Sequence, residues 1–245
     1  MSKFRTQLRQ TAQGARGRSI GFAHAASTQT RSQLLIVAIT DDASAVPSLI
    51  EAGAGSIITT SLDALESLVA AAGDIPVGIR HDATTTADAE RIIAAGADFI
   101  AFDHTQTHAE ALLEPDLGRV LLLEREMSEE ELRTLAAMQL DALIVAPPAQ
   151  PLLVSDQLAL RRIVELAAAP LVVPAAEAPS TSTLHAWRNA GTMAVLVPGD
   201  PELVRSAITA AAAVPNPRQP RDERGGMALV PALTGDSGEF DDDDF

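Results

Sequence analysis

The sequence predicts a (β/α)8 barrel, an α/β fold in which parallel strands alternate with helices. Eight short apolar runs recur between Leu34 and Val214, each followed by a polar or acidic residue and an Ala/Leu-rich stretch. They are LLIVAIT (34–40), SIITT (56–60), PVGIR (76–80), ADFIAFD (97–103), RVLLLER (119–125), DALIVAP (141–147), PLVVPA (170–175) and MAVLVPG (193–199). The runs begin 22, 20, 21, 22, 22, 29 and 23 residues apart. This spacing is typical of parallel βα units, and eight units within about 200–250 residues match one barrel.

Signals at the predicted helix ends agree with this pattern. Two capping boxes and one acid–proline N-terminus are predicted at Thr60–Asp63, Ser128–Glu131 and Asp200–Pro201. Four glycines lie just past helix ends, where the backbone needs a left-handed residue: Gly53, Gly73, Gly96 and Gly191. Local signals and the global repeat therefore indicate the same fold.

The chain divides by composition into a lead-in segment (1–32), the barrel (33–214) and a tail (215–245). Residues 1–18 carry five positive charges and no acid, and Phe4, Leu8 and Ala12 recur at helical spacing. We expect a short basic helix that covers the bottom of the barrel. The alternatives are a membrane-surface contact, a nucleic-acid contact or a transit peptide.

Composition excludes several classes of function. The chain has no cysteine, so disulfides and thiolate chemistry are absent, which fits a reducing cytoplasm, the location that we expect. Its only lysine, Lys3, precedes all eight units, which argues against a Schiff-base mechanism in the barrel. The net charge of −15 disfavours nucleic-acid binding at the barrel, and no apolar run reaches the length of a membrane span. Abundant alanine, with arginine in place of lysine, is typical of bacteria with GC-rich genomes.

Two segments outside the repeat could contact partners. The sixth unit carries a long apolar loop, PPAQPLLVS (147–155), which is either a lid or contact surface or a cover over the barrel mouth. After Pro215 the composition predicts a disordered tail. Its end, GDSGEFDDDDF, resembles the acidic tip of bacterial single-stranded-DNA-binding proteins, and this resemblance implies a protein partner for Asp241–Asp244 and Phe245. The alternative is a solvating acidic tail.

Polar residues that follow the strands are the candidate site, because working groups in this fold lie at the carboxyl ends of strands. His81, Asp103, His104 and Glu124 come from three adjacent strands and could hold a divalent metal or perform acid–base catalysis, with Asp41 nearby. Arg80 could clamp a carboxylate or phosphate. Ordinary interpretations are that Asp41, Asp82 and Asp200 are helix N-caps and that both histidines are solvated loop residues.

The segment 170–205 resembles the ribulose-phosphate-binding barrels, which include histidine, tryptophan and thiamine biosynthetic enzymes. The resemblance implies a phosphate site where strands 7 and 8 meet the N-termini of their helices. Ser180, Thr181 and Gly199 remain as possible donors. The strand 7 turn, AAEAPS, has no glycine, however. Asp200 follows Gly199, and we expect its carboxylate to occupy and repel the position at which a phosphate would bind.

Two functional hypotheses follow. The first is a divergent, non-catalytic barrel that acts as a binding or scaffold protein through the 147–155 loop or the tail. The second is a lyase, isomerase or hydrolase that acts on a small polar metabolite at the clustered mouth residues. The sequence names no substrate and no cofactor beyond a possible divalent metal.

Overall fold

The computed structural model describes residues 2–14, 33–123 and 126–215 and confirms the predicted (β/α)8 barrel. Eight parallel strands close in chain order, and β8 pairs with β1. The strands are β1 (Leu35–Ile39), β2 (Ser56–Thr59), β3 (Val77–Arg80), β4 (Phe99–Phe102), β5 (Gly118–Leu123), β6 (Ala142–Val145), β7 (Leu171–Pro174) and β8 (Thr192–Pro198). Each predicted run therefore contains a strand or overlaps one by most of its length.

Helices surround the barrel as the repeat predicts. They are α2 (Val46–Glu51), α3 (Leu65–Ala72), α4 (Thr86–Ala94), α5 (Glu129–Ala136), α6 (Val154–Ala167), α7 (Thr181–Ala190) and α8 (Pro201–Ala212), preceded by the lead-in helix α1 (Lys3–Gly14). The fourth unit differs, because β4 is followed only by a short 3-10 helix, Ala109–Leu112. A turn at Asp103–Thr105 and the proline at position 115 leave little room for a longer helix there.

The predicted N-terminal signals are confirmed at two of three places. Ser128 and Glu131 form a capping box at α5. Asp200 caps α8, with Pro201 in the first turn. The box at Thr60–Asp63 is wrong, because α3 begins at Leu65 and the Thr60 hydroxyl donates to the Asp41 carboxylate instead.

Two of the ordinary interpretations at strand ends are also wrong. Asp41 is not an N-cap, since Asp42 caps the 3-10 turn that precedes α2. Asp82 is not one either, since Thr85 caps α4 and forms a capping box with Asp88. The four predicted glycines, by contrast, all have positive φ, as a left-handed helix end requires.

Strand residues alternate between two apolar layers. Ile36 and Ala38 pack outward against the helices, whereas Val37 faces the barrel interior, as a side-chain period of two requires. The interior is filled by side chains from seven of the strands, including Ile58, Phe99 and Leu196. The barrel axis is therefore a packed core and leaves no channel through the barrel.

Helix α1 closes the end of the barrel where the strands begin. Phe4 and Leu8 are buried among the interior residues, and Ala12 is half-buried beside them. Asp98, just before β4, accepts hydrogen bonds from the amides of Lys3 and Phe4 at 2.7 and 2.8 Å, so its carboxylate satisfies the first turn of the helix. The prediction of a lead-in helix over the barrel bottom is confirmed.

Other segments of the sequence lie outside the described residues. These include 15–32, the pair Glu124 and Arg125, and the tail from residue 216 onward. The predicted domain boundaries and the acidic tail therefore stay predictions. Within the described residues, no helix has the length and apolarity to cross a membrane.

Candidate functional site

The candidate site is the barrel mouth, where the carboxyl ends of the strands and the loops after them meet. Asp41 follows β1, Arg80 ends β3, and Asp103 follows β4. Arg80 lies two residues beyond Gly78, whose Cα faces the Phe99 ring in the barrel interior, so its side chain is on the interior face. Glu124, which follows β5, lies outside the described residues.

The Asp41 carboxylate is held by the end of β2. It accepts the Thr60 amide at 2.8 Å and the Thr60 hydroxyl at 2.9 Å, and the Thr59 hydroxyl also donates to it. These bonds, led by the one from Thr59, keep the pKa of Asp41 below its usual value. Asp41 therefore ties β1 to β2 and stays ionised at neutral pH.

Arg80 and its neighbours at the end of β3 are paired within their own loop. The Arg80 guanidinium donates to Asp82 through Nε at 3.0 Å and Nη2 at 3.3 Å, a two-pronged ion pair on an exposed surface. His81 Nε2 lies 3.6 Å from the Asp88 carboxylate in the first turn of α4. Thr85, more than His81, lowers the pKa of Asp88 through its hydroxyl.

Asp103 and His104 form the adjacent loop after β4. One Asp103 oxygen accepts the Thr105 amide at 2.6 Å and the Thr105 hydroxyl at 2.7 Å, which lowers the pKa of this carboxyl. His104 Nδ1 lies 3.7 Å from the same oxygen. The Asp103 amide donates to the carbonyl of Asp82, so the loops after β3 and β4 are joined. The structure thus joins the backbones of the two loops that carry these predicted residues.

The predicted metal site is not complete among the residues described. Within 2–14, 33–123 and 126–215, no three histidine or carboxylate side chains converge in a way that could hold a metal ion. His81 and His104 each lie beside a different carboxylate, Asp88 and Asp103. A site that includes His81, Asp103, His104 and Glu124 stays a prediction, because Glu124 is not described.

The helix N-termini that the resemblance implies for phosphate already have side-chain partners. Ser180 caps α7, where its hydroxyl oxygen accepts the Thr183 amide at 3.2 Å, and Thr181 is the first residue of that helix. Asp200 caps α8 and accepts the Glu202 amide at 2.8 Å. A carboxylate at this position satisfies the amide and opposes the approach of another anion.

Gly199 is explained by packing against β1. A Cβ at this position would lie 2.6 Å from the carbonyl oxygen of Ile39 and 2.8 Å from the Cβ of Thr40. Backbone at this distance cannot move aside easily, so a glycine is required where the ends of β8 and β1 approach each other. The residue therefore has a structural role that does not depend on a ligand.

Comparison with known proteins gives the fold. No protein-family model and no curated protein matches the chain. Among solved structures, thiamine phosphate pyrophosphorylase from Pyrococcus furiosus is similar with a TM-score of 0.57 and 16% identity, covering 75% of this chain and 98% of that one. Tryptophan synthase from M. tuberculosis has a TM-score of 0.60 and 13% identity over 87% and 99% of the two chains. A protein from Aquifex aeolicus VF5 reaches 0.61 with 9% identity over 86% and 99%.

These likenesses confirm the (β/α)8 barrel fold, which the chain shares with these solved structures. Identities this low carry no conclusion about activity, because this fold hosts many unrelated reactions.

A second surface lies beside the mouth, and the sequence indicates only the part of it that belongs to the 147–155 loop. Leu153, Val154 and Leu158 are 60%, 73% and 65% exposed at the start of α6. An apolar cleft of about 380 Å³ opens between α5 and α6. Its apolar lining is Leu123, Met127, Leu132, Val145, Ala146, Ala159, Leu160 and Ile163. We call the three exposed residues and this cleft the lateral surface.

The 147–155 loop indicated the lateral surface, but Leu158 and the cleft were missed. Their apolar residues have helical spacing on α5 and α6 and are indistinguishable in sequence from core positions. The threonines that hold the mouth carboxylates, Thr59, Thr60 and Thr105, were also missed as partners. Their signal is present, because Thr59 ends β2, Thr60 follows it directly, and Thr105 lies three residues beyond the end of β4.

Proposed function

We propose that this chain is a non-catalytic barrel that binds a protein partner at the lateral surface and has lost the phosphate site of similar barrels. The observation that carries the proposal is the Asp200 carboxylate on the Glu202 amide at the N-terminus of α8. It occupies the hydrogen-bond donor that an anionic ligand would use and adds a negative charge there. Glu202, in the same helical turn, adds a second negative charge.

The carboxylates of the mouth support this proposal. Asp41, Asp88 and Asp103 each accept hydrogen bonds from a threonine and have lowered pKa values. General acid–base catalysis works best with a group whose pKa lies near the working pH. Carboxylates stabilised in the ionised form by their own loops are poor proton donors and instead brace the strand ends.

The lateral surface supports a role in binding. Leu153, Val154 and Leu158 are exposed at the start of α6, the helix that also lines the apolar cleft, and exposed apolar surface of this kind marks protein interfaces. Arg162 and Glu126 line the same cleft and give its rim charges of both signs. An amphipathic helix fits this arrangement, with apolar side chains in the cleft and charged ones at the rim.

The loss of the phosphate site is tested by titrating inorganic phosphate into the protein and following backbone amide NMR signals. We expect no saturable shift at Thr183 or Glu202 in the wild type. Asp200→Gly, which removes the competing carboxylate, should show shifts confined to the start of α8. Saturable binding at these amides in the wild type would overturn this part of the proposal.

The binding role is tested with a photoreactive amino acid at position 158 in cells that produce the protein. A discrete adduct is expected there and should disappear when Leu153 and Val154 are both replaced by serine. The matched control is a photoreactive residue at Ser67, exposed on α3. No adduct at position 158, or the same adduct at position 67, contradicts a partner at the lateral surface.

A metal-assisted enzyme is the second candidate, favoured by the hydrogen bond from the Asp103 amide to the Asp82 carbonyl at 3.3 Å. That bond holds the loops carrying His81 and His104 side by side. Such a lyase, isomerase or hydrolase would take a small polar metabolite, with Arg80 orienting it. Metal analysis of the purified protein tests this candidate. It is established if the wild type holds stoichiometric metal that His104→Ala loses and that His185→Ala, on α7, keeps.

A further inference from the structure

The end of the barrel opposite the mouth carries a basic groove that the proposed function does not use. Its floor is apolar and includes Leu8 of α1, Leu140, Val164 of α6 and Met193 of β8. Its rim holds Arg5, Arg9 and Arg161. The volume is about 580 Å³. We call it the basal groove.

The rim is positive in a protein that is strongly negative overall. Arg5 Nε lies 2.8 Å from the Asp141 carboxylate, and Arg161 pairs with Glu165 on the exposed face of α6. Arg9 forms no ion pair with the part of the chain that the structure describes, although its charge acts on Asp141. Arg119 lines an adjoining recess of about 150 Å³ that shares Arg5 and Asp141 with the groove.

These four arginines exceed the three nearby carboxylates, Asp141, Glu165 and Asp98, the last bonded to Ser2 in the recess. The groove therefore has an excess of positive charge, whereas the whole chain has a net charge of −15. An apolar floor with a basic rim fits an acidic segment that also carries large apolar side chains.

The end of the chain has this chemistry. Five acids lie within the last seven residues, Glu239 and Asp241–Asp244, together with Phe240 and Phe245. The two phenylalanines flank the run of aspartates, so carboxylates can meet the rim while a ring enters the apolar floor. The described residues place no other segment in the groove.

The chain also leaves the barrel beside the groove. Arg188 of α7 is buried and donates from Nη1 to the carbonyl of Pro215 at 2.6 Å. The amide of Gly191 donates to the Arg188 carbonyl, and Gly191 lines the groove. The exit point and the groove are therefore joined through one turn of chain.

The linker between the exit and the acidic end is long enough. Residues 216–238 separate Pro215 from Glu239. A random coil with this number of residues has a root-mean-square end-to-end distance of about 26 Å, and the same number of residues fully extended reaches about 76 Å. Such a tether gives an effective concentration on the order of millimolar, so weak contacts suffice for occupancy.

We propose that the basal groove binds the acidic, phenylalanine-containing end of this same chain, residues 239–245. Docking in cis covers the apolar floor and neutralises the arginine rim. It also sequesters Asp241–Asp244 and Phe245, so a protein partner of the tail would have to compete with the groove.

The absence of cysteine permits a direct test in the full chain. A nitroxide label on Ser237→Cys should broaden the amide NMR signals of Ala12 and Met193 in the groove and leave Ser61 and Thr85 at the mouth sharp. Raising the salt from about 50 to about 500 mM should weaken the broadening, because the Debye length falls severalfold. Broadening that is equal at both ends of the barrel would overturn the proposal.

Charge reversal supplies the matched variants. Arg9→Glu should reduce the broadening at Ala12 severalfold, whereas Arg91→Glu, on α4 and outside the groove, should leave it unchanged. Equal effects of the two variants would contradict the proposal. Replacing Asp241–Asp244 by asparagine tests the same contact from the tail side and does not alter the folded barrel.

Concentration distinguishes the source of the acidic segment. Docking within one chain is independent of concentration, so dilution by about tenfold should leave the broadening unchanged. Loss on dilution would mean that the tail of a second copy occupies the groove and would overturn docking in cis.

Discussion

The ring of Phe4 stacks on the ring of Phe99 inside the barrel, with centroids 4.2 Å apart and planes at 19°. One residue belongs to the lead-in helix and the other to β4, so this contact makes α1 part of the barrel core. Gly78 on β3 leaves the space that the Phe99 ring occupies, because a Cβ there would lie 2.3 Å from the ring. The barrel bottom is thus closed by a side chain from outside the eightfold repeat.

Phe4→Ala should lower the free energy of unfolding by about 3–5 kcal/mol, the usual cost of removing a buried aromatic ring. Phe4 is 1% exposed and fills the space above Phe99, so its loss leaves a cavity. Urea unfolding measures the change. Leu113→Ala is the control, because Leu113 is 73% exposed. Equal stabilities of the two variants would show that α1 does not close the core.

Asp98→Asn should destabilise α1 selectively, by about 2 kcal/mol, because an ionised carboxylate accepts the unpaired amides of the first helical turn more strongly than a neutral amide oxygen does. The Asp98 carboxylate accepts the amides of Lys3 and Phe4 and the hydroxyl of Ser2. Amide hydrogen exchange should accelerate in α1 and not in α8. Asp74→Asn is the matched control. The Asp74 carboxylate is fully exposed and lies 3.7 Å from the Lys3 ammonium.

Much of the fold could be predicted because strands and helices leave different periods in the sequence. The runs around Ile57, Ile100 and Val195 are continuous and apolar, as strands covered on both faces require. The short 3-10 helix after β4 could not be predicted, because AEALL in isolation has the composition of an ordinary helix.

The sequence predicts which loops carry the candidate residues but not the hydrogen bonds that those residues make. The loops after β3 and β4 are joined by the bond from the Asp103 amide to the Asp82 carbonyl. The sequence could not show that the Asp103 carboxylate would turn back to Thr105, because threonines and aspartates at strand ends also occur in open sites. Hydrogen bonds within a loop depend on backbone geometry, which residue spacing does not determine.

Gly199→Ala should destabilise the barrel at the upper end of the ~1–3 kcal/mol range for overpacking, because the clash at 2.6 Å is with the Ile39 carbonyl oxygen. Gly73→Ala is the comparison variant, because an added methyl group there carries a backbone conformational cost without a steric clash. A Cβ at Gly73 meets nothing within 4 Å, and its backbone conformation, φ 60° and ψ −111°, adds a cost of about 1–3 kcal/mol for a residue other than glycine. Thermal unfolding of both variants gives the comparison, and a smaller loss at Gly199 would contradict the packing explanation.

Asp41→Asn should lower stability by about 1 kcal/mol at pH 7, a modest value because the carboxylate is exposed and solvent screens its bonds. The bonds from Thr59 and Thr60 lower the pKa of Asp41 below 3.8, so the folded state favours the ionised form. That stabilisation is present above pH 3.8 and is lost as the pH falls through the lowered pKa. Urea unfolding across this range should therefore show the difference between wild type and variant shrinking in acid.

Asp141 should show the opposite pH dependence. Burial raises the pKa of this carboxyl above its ordinary value of 3.8, although Arg5, Arg9 and Arg119 oppose the shift. Between 3.8 and the raised pKa, the folded state holds a proton that the unfolded state has released, so stability falls as the pH rises through this window.

Asp141→Asn keeps an oxygen that can accept the Arg119 amide and removes the titration. The stability of this variant relative to wild type should therefore rise with pH through the same window and then level off. Urea unfolding at closely spaced pH values measures the difference, with Asp74→Asn as the exposed control. A difference that falls with rising pH would mean that the arginines of the basal groove outweigh the burial of Asp141.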